Sequence, residues 1–185
     1  MAVGIVCESH ATTTDNEAGI ATGWLPGRLS ALGRRQAAEL GERRRGEGFD
    51  ALFTSDLHRA VETARIAIPD GRPGIHQDPR LRECDYGDLN GAPLALVAEQ
   101  RLRRVAEPFP GGQSYRDVLD ATASFLRDLL AERDGARILV IAHSANRWSL
   151  DCLLAGARLE EVLASPPPWR PGWEYTLPTG WPGPP

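Results

Sequence analysis

The run "RILVIAH" (137–143) is apolar from Ile138 to Ala142 without alternation. A strand of this kind has no face to show to water. It therefore requires packing above and below, which is the situation of a parallel strand covered on both sides by helices. "VGIVC" (3–7) makes the same demand near the N-terminus, and "ALFTS" (51–55) is a shorter third strand. Between them lie segments of helical period. "SALGRRQAAELGERRRGEG" starts at an N-cap, Ser30, and sets Leu32, Ala37 and Leu40 towards one side. "SDLHRAVETARIAI" (55–68) enters a helix through Ser55 or Asp56. "SYRDVLDATASFLRDLLAERDG" carries Val118, Ala121, Phe125 and Leu129 on one stripe, with Gly135 as a stop, and "SANRWSLDCLLAG" follows the apolar run. Strands alternating with helices predict an α/β fold, a three-layer α/β/α sandwich with a mostly parallel central sheet.

At 185 residues and 20.1 kDa the chain suits one domain, 1–185, with a proline- and tryptophan-rich tail from about 165. That tail is expected to wrap the surface, with "WEYTL" adding an edge strand and the last few residues unordered. Residues 69–91 read as a short strand around Ile75 followed by a charged loop. A net charge of −4 argues against nucleic acid or an anionic membrane as partner. No apolar stretch approaches the ~20 residues of a membrane span, and no basic segment precedes "VGIVC", so neither an anchor nor a signal peptide is expected. Cys7, Cys84 and Cys152 are widely spaced, which suggests reduced thiols in a cytoplasm, with Cys7 and Cys152 as small core residues.

All 21 basic residues are arginine. Without lysine, a Walker-type phosphate loop and Schiff-base chemistry are both excluded. An anion must be held by arginine, histidine, hydroxyls or backbone N–H groups, or through a metal. Two of the four histidines end predicted central strands: His10 after the first and His143 after "RILVIA". In open α/β sheets ligands bind beyond the carboxyl ends of the strands, so these two histidines are candidates for one pocket. Arg59 lies near the start of the helix after "ALFTS", at a positive helix end. His58 and His76 read as surface residues, and Trp169, Trp173 and Trp181 as packing residues or a rim over the pocket.

In this order the segments resemble the histidine phosphatase superfamily, the phosphoglycerate mutase-like enzymes. "SHATTTDN" is similar to that family's RHGxTxxN, "LSALGRRQAAELG" to LTxxGxxQA, and "TSDLHRAVETA" to SxLxRAxxTA. "LRECDYGDLNG" is similar to L-x-E-x-x-x-G-x-x-x-G, "PGGQSYRDV" to the PGGES stretch, and "IAHS" to VxHG. The resemblance implies a small phosphorylated substrate and no cofactor or metal. His10 would be the nucleophile that becomes phosphohistidine, Glu83 the general acid, and His143 a catalytic donor; Asn16 and Arg59 would bind substrate.

Departures from the pattern are concentrated at one edge. Ser9 stands where the family has an arginine, Ala11 where it has glycine, and Ser144 follows the second histidine in place of glycine. Glu8, an apolar position in the family, brings a carboxylate beside the pocket. Losing an arginine–phosphate contact costs about 1.5–3 kcal/mol. Arg147 is a candidate either to replace that charge or to pair with Glu8, and Ser9, Ser144 and Arg147 all join the substrate-binding set. The leading reading is a phosphomonoester hydrolase with an atypical phosphate pocket, and the chain's shortness argues against a mutase. Two readings stand beside it: a weak or inactive relative that binds a phosphorylated metabolite or partner, and an enzyme retuned to a less charged substrate in specialised metabolism.

Overall fold

The computed structural model describes residues 1–184. Its elements begin with β1 (Val3–Ser9), α1 (Thr14–Glu17), α2 (Ala31–Arg44), β2 (Ala51–Thr54), α3 (His58–Ala67) and β3 (Ile75–Gln77). They continue with α4 (Leu94–Gln100), α5 (Tyr115–Glu132), β4 (Arg137–Ala142), α6 (Ser144–Ala155), α7 (Leu159–Ala164) and β5 (Trp173–Leu177). The sheet runs β3-β2-β4-β1-β5. Neighbours are parallel throughout except β5, which lies antiparallel on β1 as an edge strand with Cys7 opposite Trp173.

Alternation along β1 and β4 divides the core in two. Ile5, Cys7, Ile138, Val140 and Ala142 face the layer of α5 and α6, with Phe125, Leu126 and Leu129 among the residues packed there. Val6, Leu139 and Ile141 face the opposite layer with Leu52, Leu40 and Ala64 from β2, α2 and α3. This is the expected three-layer sandwich, and the apolar run 138–142 is buried on both faces because both layers cover it.

The helix boundaries follow local chemistry, with some corrections. Ser30 caps α2 by accepting the Gly33 N–H at 3.1 Å, as expected. Its buried face is Gly33, Ala37 and Leu40, whereas Leu32 is exposed. Helix α5 is capped reciprocally by Ser114 and Asp117; Ala121 sits at its margin, and Leu119, Ala123 and Leu126 extend the buried stripe. Neither Ser55 nor Asp56 caps α3, which starts behind Leu57 without a side-chain cap. His58 is exposed, and His76 lies on the exposed edge strand β3 rather than in a loop. The tail is tied down by β5 and by Trp181, whose indole N–H reaches the Leu153 carbonyl at 3.3 Å. Of the residues expected to be unordered, Pro185 lies outside the described ones.

Candidate active site

Strands β1 and β4 are adjacent and in register, with Ser9 opposite Ala142, so the residues that follow them are neighbours. His10 and His143 accordingly stand with ring centroids 5.0 Å apart. His10 Nδ1 lies 2.8 Å from the Ala11 carbonyl, which fixes the proton on Nδ1 and leaves Nε2 unprotonated, an acceptor. Arg59 Nε donates to that Nε2 at 3.3 Å. Burial, together with the Arg59 charge, pulls the His10 pKa down to about 3, so the ring is neutral and nucleophilic at pH 7.

Arg59 is itself almost wholly buried, and its guanidinium is aimed by two loop carbonyls, Leu25 at 3.1 Å and Gly23 at 2.8 Å. It is the second residue of α3, so the helix's positive end adds to its field. Gly27, beside Arg59 in this loop, takes a positive φ that a side chain would strain, and a Cβ there would crowd the Thr22 methyl at 3.0 Å. His143 caps α6 and is held by Ser55, whose Oγ is 2.7 Å from Nε2. The Leu57 N–H is directed at the same Oγ, leaving the Ser55 hydroxyl proton for Nε2 and the ring proton on Nδ1. That Nδ1 is buried with no hydrogen-bond partner among the described residues, a donor left unused within the fold. Burial first, then Arg59 and His10, hold the His143 pKa well below its ordinary value.

Glu83 approaches from the loop between β3 and α4. Its Oε1 accepts the N–H groups of Cys84 at 2.8 Å and of Ala145, in the first turn of α6, at 3.3 Å. Burial raises its pKa above the usual carboxylate range, and the backbone donors and Arg59 only partly oppose this. Trp24 anchors the loop by donating its indole N–H to the Glu83 carbonyl at 2.7 Å. His10, Arg59, Glu83, Asn16 and Ser144 line one cavity of about 170 Å³. Asn16 uses its Oδ1 to accept the Thr13 N–H in the cap of α1, and Ser144 starts α6.

Ser9 lines a second cavity of about 300 Å³ that shares His10, Asn16 and Ser144 with the first and has Trp169 on its rim. The expectation for Arg147 is overturned on both counts. It pairs with Asp151 at 3.4 Å and stacks on the buried Trp173 at 4.8 Å. The cause is the pleat: Glu8 points to the α2 face of the sheet, whereas α6 carries Arg147 on the opposite face. Glu8 instead meets α2, with Arg44 Nε at 2.8 Å and Arg43 Nη2 at 3.2 Å from Oε1. The carboxylate beside the pocket is thus neutralised and offers little repulsion to an anion.

Two residues of the site went unnoticed in the sequence. Arg43 lines the Ser9 cavity, and the alternation that sends Glu8 towards α2 was the signal that could have found it. Arg101 lines the Glu83 cavity with its Nε buried and without a partner among the described residues, and its guanidinium over Trp148 at 5.4 Å. It follows α4 in an irregular stretch, where no periodicity marks it.

The model of the histidine phosphatase superfamily (branch 1) matches residues 8–167. The 2,3-bisphosphoglycerate-dependent phosphoglycerate mutase of Bradyrhizobium sp. (strain ORS 278) is 31% identical over 174 residues, 86% of this chain and 84% of that protein. The protein of the same name from Methylocella silvestris is 34% identical over 165 residues, 81% of this chain and 80% of its own. Among solved structures, mycobacterial glucosyl-3-phosphoglycerate phosphatase, complexed with VO3, superposes with a TM-score of 0.77 at 27% identity, covering 87% of this chain and 86% of that one.

Proposed function

The chain belongs to the histidine phosphatase superfamily (branch 1), and on that premise we propose that it is a phosphomonoester hydrolase working through a phosphohistidine on His10. The observation that carries this reading is the His10 ring itself: Nδ1–H pinned to the Ala11 carbonyl, Nε2 unprotonated and facing the Arg59 Nε–H, and the ring neutral beside a fixed guanidinium.

Nε2 attacks phosphorus in line, and the N–P bond forms as the ester P–O bond breaks. Arg59 and His143 Nδ1–H face the oxygens on which charge is spread. Glu83, whose pKa is raised by burial, gives a proton to the leaving oxygen. Water then attacks phosphorus and loses a proton to the same carboxylate, and the N–P bond breaks to release phosphate. Arg101, at the Glu83 end of a cavity of only about 170 Å³, favours a small leaving group carrying an acceptor or a negative charge. Three buried free thiols fit a reducing cytoplasm.

Length does not separate hydrolase from mutase, because the mutases it resembles are matched over four fifths of their own length or more. Access of water does favour the hydrolase. The Ser9 cavity reaches from His10 to the partly exposed Arg43 and the exposed Trp169, leaving a solvent route to the phosphoenzyme. Quenching with a phosphorus-labelled aryl phosphate should leave an acid-labile, base-stable label on the protein, absent from His10→Ala. Label retained by that variant would sink the assignment. Release of inorganic phosphate, rather than its transfer to 2-phosphoglycerate or 3-phosphoglycerate, would separate hydrolase from mutase.

A further inference from the structure

Ser9 is short, and beyond it lies the cavity of about 300 Å³ that begins at His10 and ends at Arg43 on α2. Arg43 uses one nitrogen, Nη2, at 3.2 Å from each oxygen of Glu8. Its Nε and Nη1 have no partner among the described residues, and its side chain is one-third exposed. Glu8 does not need Arg43 for neutrality, because Arg44 donates to it at 2.8 Å. Arg44 also bonds Glu47 at 2.9 Å, and Glu47 takes Arg137 at 2.7 Å. Three arginines thus share two carboxylates in this network. The surplus cation is the one that faces the cavity. Two carboxylates also line the cavity: Glu8, which is paired with Arg44, and Glu39, which is exposed to solvent.

We propose that Arg43 is a substrate-binding residue, supplying from α2 the positive charge on the Ser9 side of the phosphoryl group, with Glu8 as its positioning residue. The inference rests on the phosphoryl-transfer reading. A guanidinium held along one edge by a buried carboxylate presents its other edge in a fixed direction, and planar donors suit the oxygens of a phosphoryl group. Placing the charge on the helix instead of the strand leaves the space beside His10 open. An arginine at position 9 would enter that same space.

Functional overlap between two positions shows as non-additivity. The test compares wild type, Ser9→Arg, Arg43→Ala and the double variant, by kcat/KM on an aryl phosphate and by calorimetric binding of inorganic phosphate, with thermal unfolding as the control for folding. Arg43→Ala should lose at least tenfold in kcat/KM and bind phosphate correspondingly less well. Ser9→Arg should restore at least tenfold in the Arg43→Ala background but less than threefold in wild type. Glu8→Gln should lose activity with Arg43 present and have no further effect once it is gone. An Arg43→Ala variant that folds and keeps wild-type kcat/KM and phosphate binding overturns the proposal. So does an equal Ser9→Arg factor in both backgrounds. Should Arg43→Ala not fold, Arg43→Lys, a single-point donor, carries the same comparison. If His10 takes up no label yet phosphate binding depends on Arg43 as stated, the hydrolase reading falls and this one stands.

Discussion

Glu83 illustrates how one side chain acquires a role from its surroundings. The backbone N–H groups of Cys84, Ala145 and Ser144, together with Arg59, favour its charged form, yet burial prevails and its pKa rises. A carboxyl group whose pKa is raised holds its proton to higher pH and can serve the leaving group, whose need for a proton depends on its basicity. Glu83→Gln should therefore slow alkyl phosphates by ~10²–10³ and aryl phosphates far less, which steady-state kinetics on matched substrates will show. Equal losses would remove Glu83 from the acid's role. The pH profile carries the same information. His10, neutral above about 3, imposes no loss of activity around the ordinary histidine pKa on the acid side. The alkaline limb reports Glu83 losing its proton, and it should vanish in Glu83→Gln, leaving only the titration of the substrate.

At the scale of elements, α2 determines how closely the His10 loop is held. Gln36 accepts the Thr12 N–H at 3.0 Å, and Ser30 N–H donates to the Thr12 carbonyl at 3.0 Å. Gly33 allows this docking, since a Cβ there would stand 1.9 Å from the Thr12 carbonyl oxygen. Gly41 plays the matching part against α3, where a Cβ would meet the Ala67 carbonyl oxygen at 2.3 Å. Backbone cannot yield as a side-chain end can. Gly33→Ala, though favourable for an isolated helix, should destabilise the fold by ~1–3 kcal/mol through overpacking. It should also lower kcat, because Thr12 adjoins the carbonyl that sets the His10 tautomer. Denaturant unfolding and kinetics measured together check both. A variant as stable and active as wild type would show that the helix is free to move.

For the whole molecule, gathering histidines of lowered pKa and an acid of raised pKa in one buried place makes stability depend on pH. The His143 pKa is depressed by burial, so in the unfolded chain it protonates near 6.5 while in the folded chain it stays neutral. The unfolded state then binds more protons below 6.5, and stability falls as the pH drops from there towards the folded value. A group shifted in this way contributes up to about 1.4 kcal/mol per pH unit over that window. Glu83 acts in the opposite sense, because its raised pKa stabilises the fold below the unfolded carboxylate value and loses that contribution as the pH rises through the folded one. Urea midpoints at pH 7, 6 and 5 should decline less steeply for His143→Phe than for wild type. Parallel curves would mean that His143 titrates alike in both states.

How much of this was written in the sequence depends on whether the information is local. The apolar run 138–142, the cap at Ser30, and the strand-end places of His10 and His143 all follow from neighbours in the chain, and they stand where the sequence puts them. Periodicity and capping act over a few residues, so they can be read without the fold. The order of the motifs likewise carried the family. Partners did not follow in the same way. That Glu8 meets Arg43 and Arg44 and Arg147 meets Asp151 depends on which face of the sheet each element covers, and that Arg101 enters the Glu83 cavity depends on how an irregular loop returns. An arginine reaches several ångströms in any direction from its Cα. Which anion it meets is decided by packing between layers that the sequence keeps far apart.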